Sequence, residues 1–229
     1  MHRNNHKSAV YPVRDMWLLM PGLFGFLLFY LVPLLMMPGY AVTKNAMNHT
    51  FVGMANFLRV WKNNYFWLAL KNTFVFAGFA VPLSLCAALL LALLLQRLRN
   101  DCYSVFMVPY FLPTASVCSV FAAFLPAGSL SGVFVSGIEQ WLTILVFYLW
   151  KYTGIQMMIL IGGLSRIPKE VEEAAAMDGA NALQRLVYMR LPLLRPTLVF
   201  CILFSLSSCM RIYRESYSLY GQYPAKTVY

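Results

Sequence analysis

One polar segment of this hydrophobic chain carries residues suited to contact with another protein: residues 172–192, EEAAAMDGANALQRLVYMRLP. Its carboxylates fall in the first turns of a predicted helix, where they oppose the positive end of the helix dipole. Three alanines follow, which favour helix and leave a shallow surface that a partner can approach closely. Gly179 then breaks the run, and a second short helix is predicted from about Asn181 to Met189. The pattern predicts two short helices joined at a glycine corner with positive φ.

Two other structures fit the same segment: an ordinary loop, or an amphipathic helix lying on a membrane surface. Membrane-surface helices usually carry Lys or Arg together with large apolar residues, whereas this segment begins with acidic and small residues. An alanine-rich face has little side chain to insert into lipid. The composition therefore favours docking on another protein, and the ordinary loop stays open as an alternative.

A second set of candidate residues lies inside apolar stretches. Lys151 falls near the middle of the stretch 141–164, where a charge costs about 2.5–3.5 kcal/mol unless it faces a cavity or a polar partner. Lys151 and Gln156 are candidates either for polar contacts along a pathway through the helices or for structural hydrogen bonds, which for Lys151 would be to carbonyl groups at a helix end. Trp150 could stack on the ring of a ligand or simply pack, and Ser205 fits either the pathway or a contact between helices.

Several classes of chemistry have no residues to support them. The chain holds no G-x-x-x-x-G-K-[ST] sequence, so it lacks the loop that binds ATP in P-loop proteins. Its five cysteines form no C-x-x-C pair and its three histidines are not clustered, so we predict no metal site and no cofactor. We find no catalytic arrangement of residues, and no nucleic-acid-binding motif accompanies the basic ones.

The elements that must position these residues are membrane helices. Of the 229 residues, 60% are hydrophobic and 11% are charged, against roughly 25% charged in soluble domains. About 20 apolar residues cross a bilayer, and five stretches are long enough, so the predicted fold is an all-α polytopic membrane protein. The five predicted spans cover about residues 16–42, 72–95, 103–125, 141–164 and 191–210, after an N-terminal segment 1–15, with a polar loop at 165–190.

The distribution of Lys and Arg predicts the orientation of these spans, because cytoplasmic loops are enriched in both. With segment 1–15 inside, the inner segments carry nine such residues and the outer segments carry six. The net charge of +10 thus suits loops that face anionic lipid. The bias favours a cytoplasmic N-terminus, which also places the polar loop 165–190 in the cytoplasm.

The polar loop contains a spaced pattern: Glu-Ala-Ala, three residues, Gly, nine residues, an apolar residue, one residue and Leu-Pro. In order and spacing it resembles the EAA loop of ABC importer permeases, with methionine where isoleucine or leucine is usual. The positions that the resemblance identifies as the ATPase-coupling site are Glu173, Ala174, Ala175, Asp178, Gly179, Met189, Leu191 and Pro192.

Further stretches resemble the maltose-type carbohydrate importers of that family, and together they cover nearly the whole chain. They are FVGMANFLRVW (51–61), FWLALKNTFVF (66–76), VFMVPYFLPTAS (105–116), IGGLSRIPKEVEEAAAMDGA (161–180) and MRIYRESYSLYGQYP (210–224). The resemblance implies the type I importer fold and a bacterial or archaeal cytoplasmic membrane. It also implies that ATP binds to separate ABC ATPase subunits, and that a second permease subunit, an extracellular solute-binding protein and a sugar substrate are the other partners.

The resemblance also assigns roles within the loop. Glu173 would make the polar contact to the ATPase, and the alanines after it would allow close packing. Gly179 would form the corner, and Leu191 with Pro192 would set the angle at which the fifth span begins. A polyol or glycerol phosphate stays open as the solute.

Two alternative functions follow from other features of the sequence. Permeases of this kind have six core spans, and we expect the chain ending at Tyr229 to lack the last one, which leaves an inactive truncated permease or a membrane scaffold as an alternative. An ion-coupled secondary transporter would need carboxylates within its spans. Every Asp and Glu lies in a predicted loop or at a predicted span end, which disfavours that class.

Overall fold

The computed structural model describes residues 17, 19–45, 50–98, 101–124 and 137–220. The chain divides into two compact units, residues 1–66 and residues 67–229. Regular structure in the described ranges is helical, apart from one isolated antiparallel bridge between Thr43 and Phe51. The all-α prediction is therefore confirmed.

The first unit contains helix α1, Met20–Ala41, and helix α2, Ala55–Trp61. Helix α1 is long and apolar enough to cross a bilayer and includes one π-helical turn. The connection that follows it is held by Asn56 of α2, whose amide donates hydrogen bonds to the carbonyl oxygens of Ala41 (3.0 Å) and Thr43 (2.7 Å).

Most of the remaining helices belong to the second unit. In chain order they are α3, Asn64–Leu98; α4, Val108–Phe111, which continues a 3₁₀ segment Asp101–Met107; α5, Thr114–Phe124; α6, Gly137–Leu164; α7, Lys169–Met177; α8, Ala182–Arg185, prolonged by a π-helical segment Leu186–Arg190 and the turn Leu191–Leu193; α9, Arg195–Met210; and α10, Tyr213–Tyr220. Four helical stretches among the described residues, including α1, are long and apolar enough to cross a bilayer.

The predicted third span over 103–125, of which the structure describes residues 103–124, contains a sharp bend. The helical stretches Tyr103–Phe111 and Thr114–Phe121 are bent by 97° relative to each other. The break falls at Leu112, whose backbone is extended (φ −68°, ψ 140°). A residue before proline is disfavoured in the helical region, and Pro113 follows here. The described residues therefore hold five candidate spans only if this bent pair counts as one.

The last candidate span is longer than the predicted stretch 191–210. It runs over Arg195–Tyr220, so that α9 continues through a short turn into α10. This extension carries Glu215 into the packed part of the unit, where its side chain is buried. The predicted stretch 191–210 ended five residues before Glu215.

Helix α6 forms the centre of the second unit. In the most apolar stretch of α6, 61% of the residues are buried. The corresponding stretches of α3 and of Arg195–Tyr220 are each 28% buried. Helix α3 contributes buried small residues to the packing, at intervals of three or four, which allow helices to approach closely in a membrane. These residues are Ala77, Ala80, Ser84, Ala88 and Ala92.

Gly154 sets how closely the 3₁₀ segment approaches α6. A Cβ atom at Gly154 would lie 1.7 Å from the carbonyl oxygen of Phe106, which no side chain can tolerate. The backbone of residues 101–107 therefore packs directly on α6. This contact brings the bend between α4 and α5 next to the middle of α6, where Lys151 lies.

Candidate functional site

The predicted two-helix segment forms between α6 and α9. Helix α7 begins directly after Pro168, whose backbone is extended (φ −60°, ψ 137°), and carries Glu170 and Glu172 in its first turn. Carboxylates at that end oppose the partial positive charge of the helix N-terminus. The helix ends at Asp178 as its C-cap.

The corner after α7 is closed by a pair of backbone hydrogen bonds. Gly179 has φ +80°, a left-handed conformation that favours glycine. Its N–H donates to the carbonyl oxygen of Ala176 (3.1 Å), and the N–H of Ala180 donates to that of Ala175 (3.1 Å). This is the Schellman arrangement of helix ends, and it confirms the predicted positive φ at the glycine.

A capping box starts the next helix two residues later. The N–H of Gln184 donates to Asn181 Oδ1 (2.8 Å), and the N–H of Asn181 donates to Gln184 Oε1 (2.8 Å). Such reciprocal bonds satisfy two otherwise unpaired donors at a helix start. The sequence analysis missed this feature, although the spacing Asn-x-x-Gln before an apolar run would have signalled it.

An ion pair ties α7 to the stretch that leads into α9. Arg190 Nη2 lies 2.8 Å from Glu172 Oε1, and both side chains are partly exposed, at 25% and 33%. Pairs this exposed contribute little to stability, about 0–1 kcal/mol. The pair is thus one contact between α7 and the residues that follow α8.

The segment presents both polar and large apolar side chains to its surroundings. Glu173, Ala174 and Asp178 are exposed, and so are the side chains of Met177 (88%) and Tyr188 (80%). We call these five residues together with Gly179 the corner surface. A groove of about 590 Å³ runs along it between α7 and α8. Exposed apolar residues beside carboxylates and a groove are typical of a protein-docking surface.

The predicted coupling residues divide into two groups by burial. Three of them are half-buried where the segment joins α9, as is Ala175 within α7. These three junction residues are Met189, Leu191 and Pro192. Leu194 follows as a fully buried residue packed in the same cluster as Leu164 at the end of α6. Both ends of the segment are therefore anchored in one hydrophobic cluster.

A second cluster surrounds Lys151 in the middle of α6. Its ammonium Nζ lies 3.3 Å from Glu215 Oε1 of α10 and donates a hydrogen bond to Thr114 Oγ1 at the start of α5. Tyr152 donates its hydroxyl to the same Glu215 oxygen (3.3 Å). The Lys151 and Glu215 side chains are 6% and 3% exposed. A polar partner for Lys151 was one of the two predicted alternatives, and that partner is Glu215.

This cluster forms one wall of a cavity of about 350 Å³, which we call the bend pocket. It lies beside the break between α4 and α5, and its other polar side chains belong to the turn and helix after α9. Its lining includes Tyr110, Thr114, Lys151, Tyr152, Arg211, Arg214 and Glu215.

The other predicted pathway residues do not line the bend pocket. Gln156 donates its amide to Ser205 Oγ (2.7 Å), and both residues are fully buried between α6 and α9. The Tyr148 hydroxyl donates to the carbonyl oxygen of Ser205 (3.1 Å). Trp150 is 41% exposed and packs against Phe121, with ring centroids 5.5 Å apart. Gln156 and Ser205 therefore act as a contact between helices in this conformation.

Glu215 is the buried partner of Lys151 that could not be identified from the sequence. A buried lysine in an apolar stretch needs a polar partner, and the charged run after the fifth apolar stretch, Arg211 to Glu215, supplies the nearest acid in that part of the sequence. In the structure this carboxylate lies five residues before the end of the helical stretch Arg195–Tyr220, and its side chain is buried.

Comparison with protein families gives one match. Residues 72–212, more than half of the chain, match the model of binding-protein-dependent transport system inner membrane components. The matched range includes both the corner surface and Lys151, and it ends three residues before Glu215.

Curated relatives align with most of the chain. The lactose transport system permease protein LacF of Rhizobium radiobacter is 28% identical over 194 residues, which cover 77% of this chain and 65% of LacF. The trehalose/maltose transport system permease protein MalF of Thermococcus litoralis is 30% identical over 190 residues, covering 76% and 64%. The alignments thus span somewhat less than two thirds of these relatives.

A solved structure shares the fold. A chain of a bacterial ABC transporter involved in the import of the acidic polysaccharide alginate superposes with a TM-score of 0.74. The two chains are 21% identical, and the match covers 94% of this chain and 81% of that one. At this identity the likeness shows the fold alone.

Proposed function

The chain belongs to the family of binding-protein-dependent transport system inner membrane components, and from this we propose that it is the transmembrane permease subunit of an ATP-driven importer. It is a multi-pass membrane protein, with helices long and apolar enough to cross a bilayer. In this proposal ATP binds to separate ABC ATPase subunits, and the chain transmits their movement to its spans.

The corner surface is the observation that carries the proposal. It combines a defined shape, set by Gly179 and the capping box, with exposed polar and apolar side chains that a partner can cover. Glu173 would make the polar contact to the ATPase, and Ala174 would let the two proteins approach closely. The partly buried Met189, Leu191 and Pro192 would pass the movement to α9.

The geometry suggests how the movement reaches the spans. Helices α7 and α8 join the ends of α6 and α9, and Leu164 and Leu194 pack in one buried cluster there. A push on the corner surface would therefore change the angle between α6 and α9 as rigid bodies. Such rigid-body motion is a common basis of switching between two packed states.

The proposed substrate is a sugar, because the relatives include permeases named for lactose and for trehalose and maltose transport. A second permease subunit and an extracellular solute-binding protein complete the assembly. A related solved structure, with a TM-score of 0.74, is an alginate transporter in complex with a sugar-bound periplasmic protein. We place the N-terminus and the corner surface in the cytoplasm, as the distribution of basic residues favours.

The test is affinity purification of the tagged chain from its native membranes in mild detergent, with mass spectrometry of the bound proteins. We expect an ABC ATPase and a second permease to co-purify. The variant carrying Glu173→Ala and Gly179→Ala should lose the ATPase while it keeps the second permease. Glu170→Ala is the matched control, because it removes an exposed carboxylate from the same helix outside the corner surface.

Two results would contradict the proposal. One is purification without any ATPase from membranes that contain the intact chain, which would favour a scaffold. The other is undiminished ATPase binding by the double variant, which would show that the ATPase docks elsewhere. The intact mass of the tagged chain, measured on the same sample, gives the length of the natural chain.

A further inference from the structure

We propose that the bend pocket receives a sugar that carries an acidic group, with sugar hydroxyls on Glu215 and the acidic group on Arg211 and Arg214. The inference rests on the proposed function, since it names the substrate class of the transporter. Of the residues that line this pocket, only Lys151 was a pathway candidate in the sequence analysis.

The buried ion pair between Lys151 and Glu215 carries a large desolvation penalty for a purely structural contact. Lys151 and Glu215 are nearly fully buried in an apolar helix bundle. Removing two charges from water costs several kcal/mol each, and apolar residues of similar volume are often at least as stabilising. Ionisable residues inside a membrane bundle therefore commonly belong to functional sites.

One oxygen of the Glu215 carboxylate has no hydrogen-bond donor among the described residues. Glu215 Oε1 accepts from both Lys151 and Tyr152. Glu215 Oε2 is buried and has no hydrogen-bond partner among the described residues. A buried acceptor without a donor costs about 1–3 kcal/mol or more when charged. A sugar hydroxyl is a donor of the right kind, and a turn of the buried Glu215 carboxylate towards the bend pocket, which this residue lines, would bring Oε2 to such a ligand.

The side chains that line the bend pocket carry a net positive charge. Three cationic side chains, Lys151, Arg211 and Arg214, line the pocket together with the single carboxylate of Glu215, which leaves two positive charges in excess. Lys151 is already paired. Both arginines are exposed, and neither forms an ion pair with the described residues. Arg211 donates its Nε–H to the carbonyl oxygen of Ser207 (3.3 Å).

Two further features suit a sugar acid. Helix α5, Thr114–Phe124, begins in the wall of the pocket, so the positive end of its dipole also faces the ligand. Tyr110 and Tyr152 place aromatic rings in the same wall, with centroids 6.1 Å apart. Aromatic rings offer an apolar face to the C–H side of a sugar ring.

These features together select one ligand class. A neutral sugar would use the free oxygen of Glu215 but would bring no negative charge to the two arginines. A small inorganic anion would use the arginines and be repelled by Glu215. A sugar with a carboxylate satisfies both, because its hydroxyls and its acidic group are several ångströms apart on one ring.

The experiment measures uptake in cells that contain the intact transporter with its own ATPase and binding protein. The probes are radiolabelled disaccharides of galacturonate, glucuronate and mannuronate, each beside its neutral hexose counterpart. Uptake is compared between the wild type and the variants Arg211→Gln, Arg214→Gln and the double variant. Arg59→Gln is the matched control, because Arg59 is an exposed arginine of α2 outside the bend pocket.

We expect at least one acidic disaccharide to enter faster than its neutral counterpart. Each arginine variant should raise the half-saturating concentration for that probe roughly tenfold, the loss expected for a hydrogen bond to a charged group. The wild-type preference should disappear in the double variant and persist in Arg59→Gln.

Three outcomes would overturn the inference: uptake of neutral probes at least as fast as acidic ones, no uptake of any acidic probe, or an acidic preference that survives the double arginine variant. These outcomes are separable from failure of the proposed function. If the ATPase co-purifies through the corner surface but neutral sugars are preferred, the importer stands and only the acidic substrate class falls.

Discussion

Replacement of Gly179 tests whether coupling depends on the shape of the corner or on the absence of a side chain there. Gly179 has φ +80°, and a Cβ atom added to it would meet no atom of the chain within 4 Å. An alanine would therefore be strained only through its backbone. An asparagine would have more bulk, but it tolerates the left-handed conformation better than other residues do.

The size of the effect follows from the backbone alone. A left-handed conformation costs a residue such as alanine roughly 1–2 kcal/mol, which corresponds to a factor of about 5–30 in an equilibrium. If the ATPase binds only the closed corner, its affinity for Gly179→Ala should fall by up to that factor. Gly179→Asn should lie much closer to the wild type.

The assay is binding of the purified ATPase to the chain in nanodiscs, with transport measured on the same preparations. Gly179→Asp is the third variant, because aspartate shares the backbone tolerance of asparagine and adds a charge. That charge would lie beside Asp178 at the negative end of α7 and on the docking face. We expect Gly179→Asp to abolish transport while the chain still inserts into the membrane in normal amounts.

The affinities of the ATPase for Gly179→Ala and Gly179→Asn distinguish a requirement for the left-handed backbone from a requirement for the absence of a side chain. If Gly179→Asn binds the ATPase more weakly than Gly179→Ala, the partner packs directly on the glycine and side-chain bulk is what matters. Our reasoning about the corner would then be wrong. Normal transport by Gly179→Asp would refute the role of the segment in coupling altogether.

Two further predictions concern the packing of α6. Lys151→Met or Glu215→Gln alone should destabilise the fold by about 3–5 kcal/mol, because each leaves a buried polar partner without its counterpart. The double variant should recover much of this loss. Thermal unfolding in detergent measures the stability of the three variants, and additive losses would contradict a stabilising ion pair. Gly154→Ala should lower the yield of folded protein, since its Cβ would lie 1.7 Å from a backbone oxygen, whereas Gly162→Ala, with no atom within 4 Å, should not.

The corner could be predicted almost completely from the sequence because its determinants are local. A glycine after an alanine run predicts the left-handed C-cap, and the carboxylates before it predict the helix start. The contribution of Asn181 and Gln184 is equally local and could have been predicted from their spacing. What local signals do not give is exposure, since burial of Met177 or Tyr188 depends on helices distant in sequence.

The bend pocket could not be predicted in the same way because its partners are far apart in the chain. Lys151 and Glu215 are 64 residues apart, and Thr114 is 37 residues from Lys151. The sequence indicates only that Lys151 needs a partner. The broken third stretch had a local signal in the Leu-Pro pair at residues 112–113, but its length and apolar composition favoured a continuous span.

The corner surface and the bend pocket are connected by the two helices that leave the corner. Helix α6 runs back from Leu164 to Lys151 over 13 residues, or about 20 Å at the rise of an α-helix. Helix α9 leaves the other side of the corner and continues into α10, which carries Glu215. The ion pair between Lys151 and Glu215 therefore joins the far parts of the same two arms. A change in the angle between α6 and α9 at the corner must alter the separation of these charges, and with it the polar wall of the pocket. ATP-driven movement of the corner would thus change the contact between Lys151 and Glu215, and this change would accompany release of a bound solute.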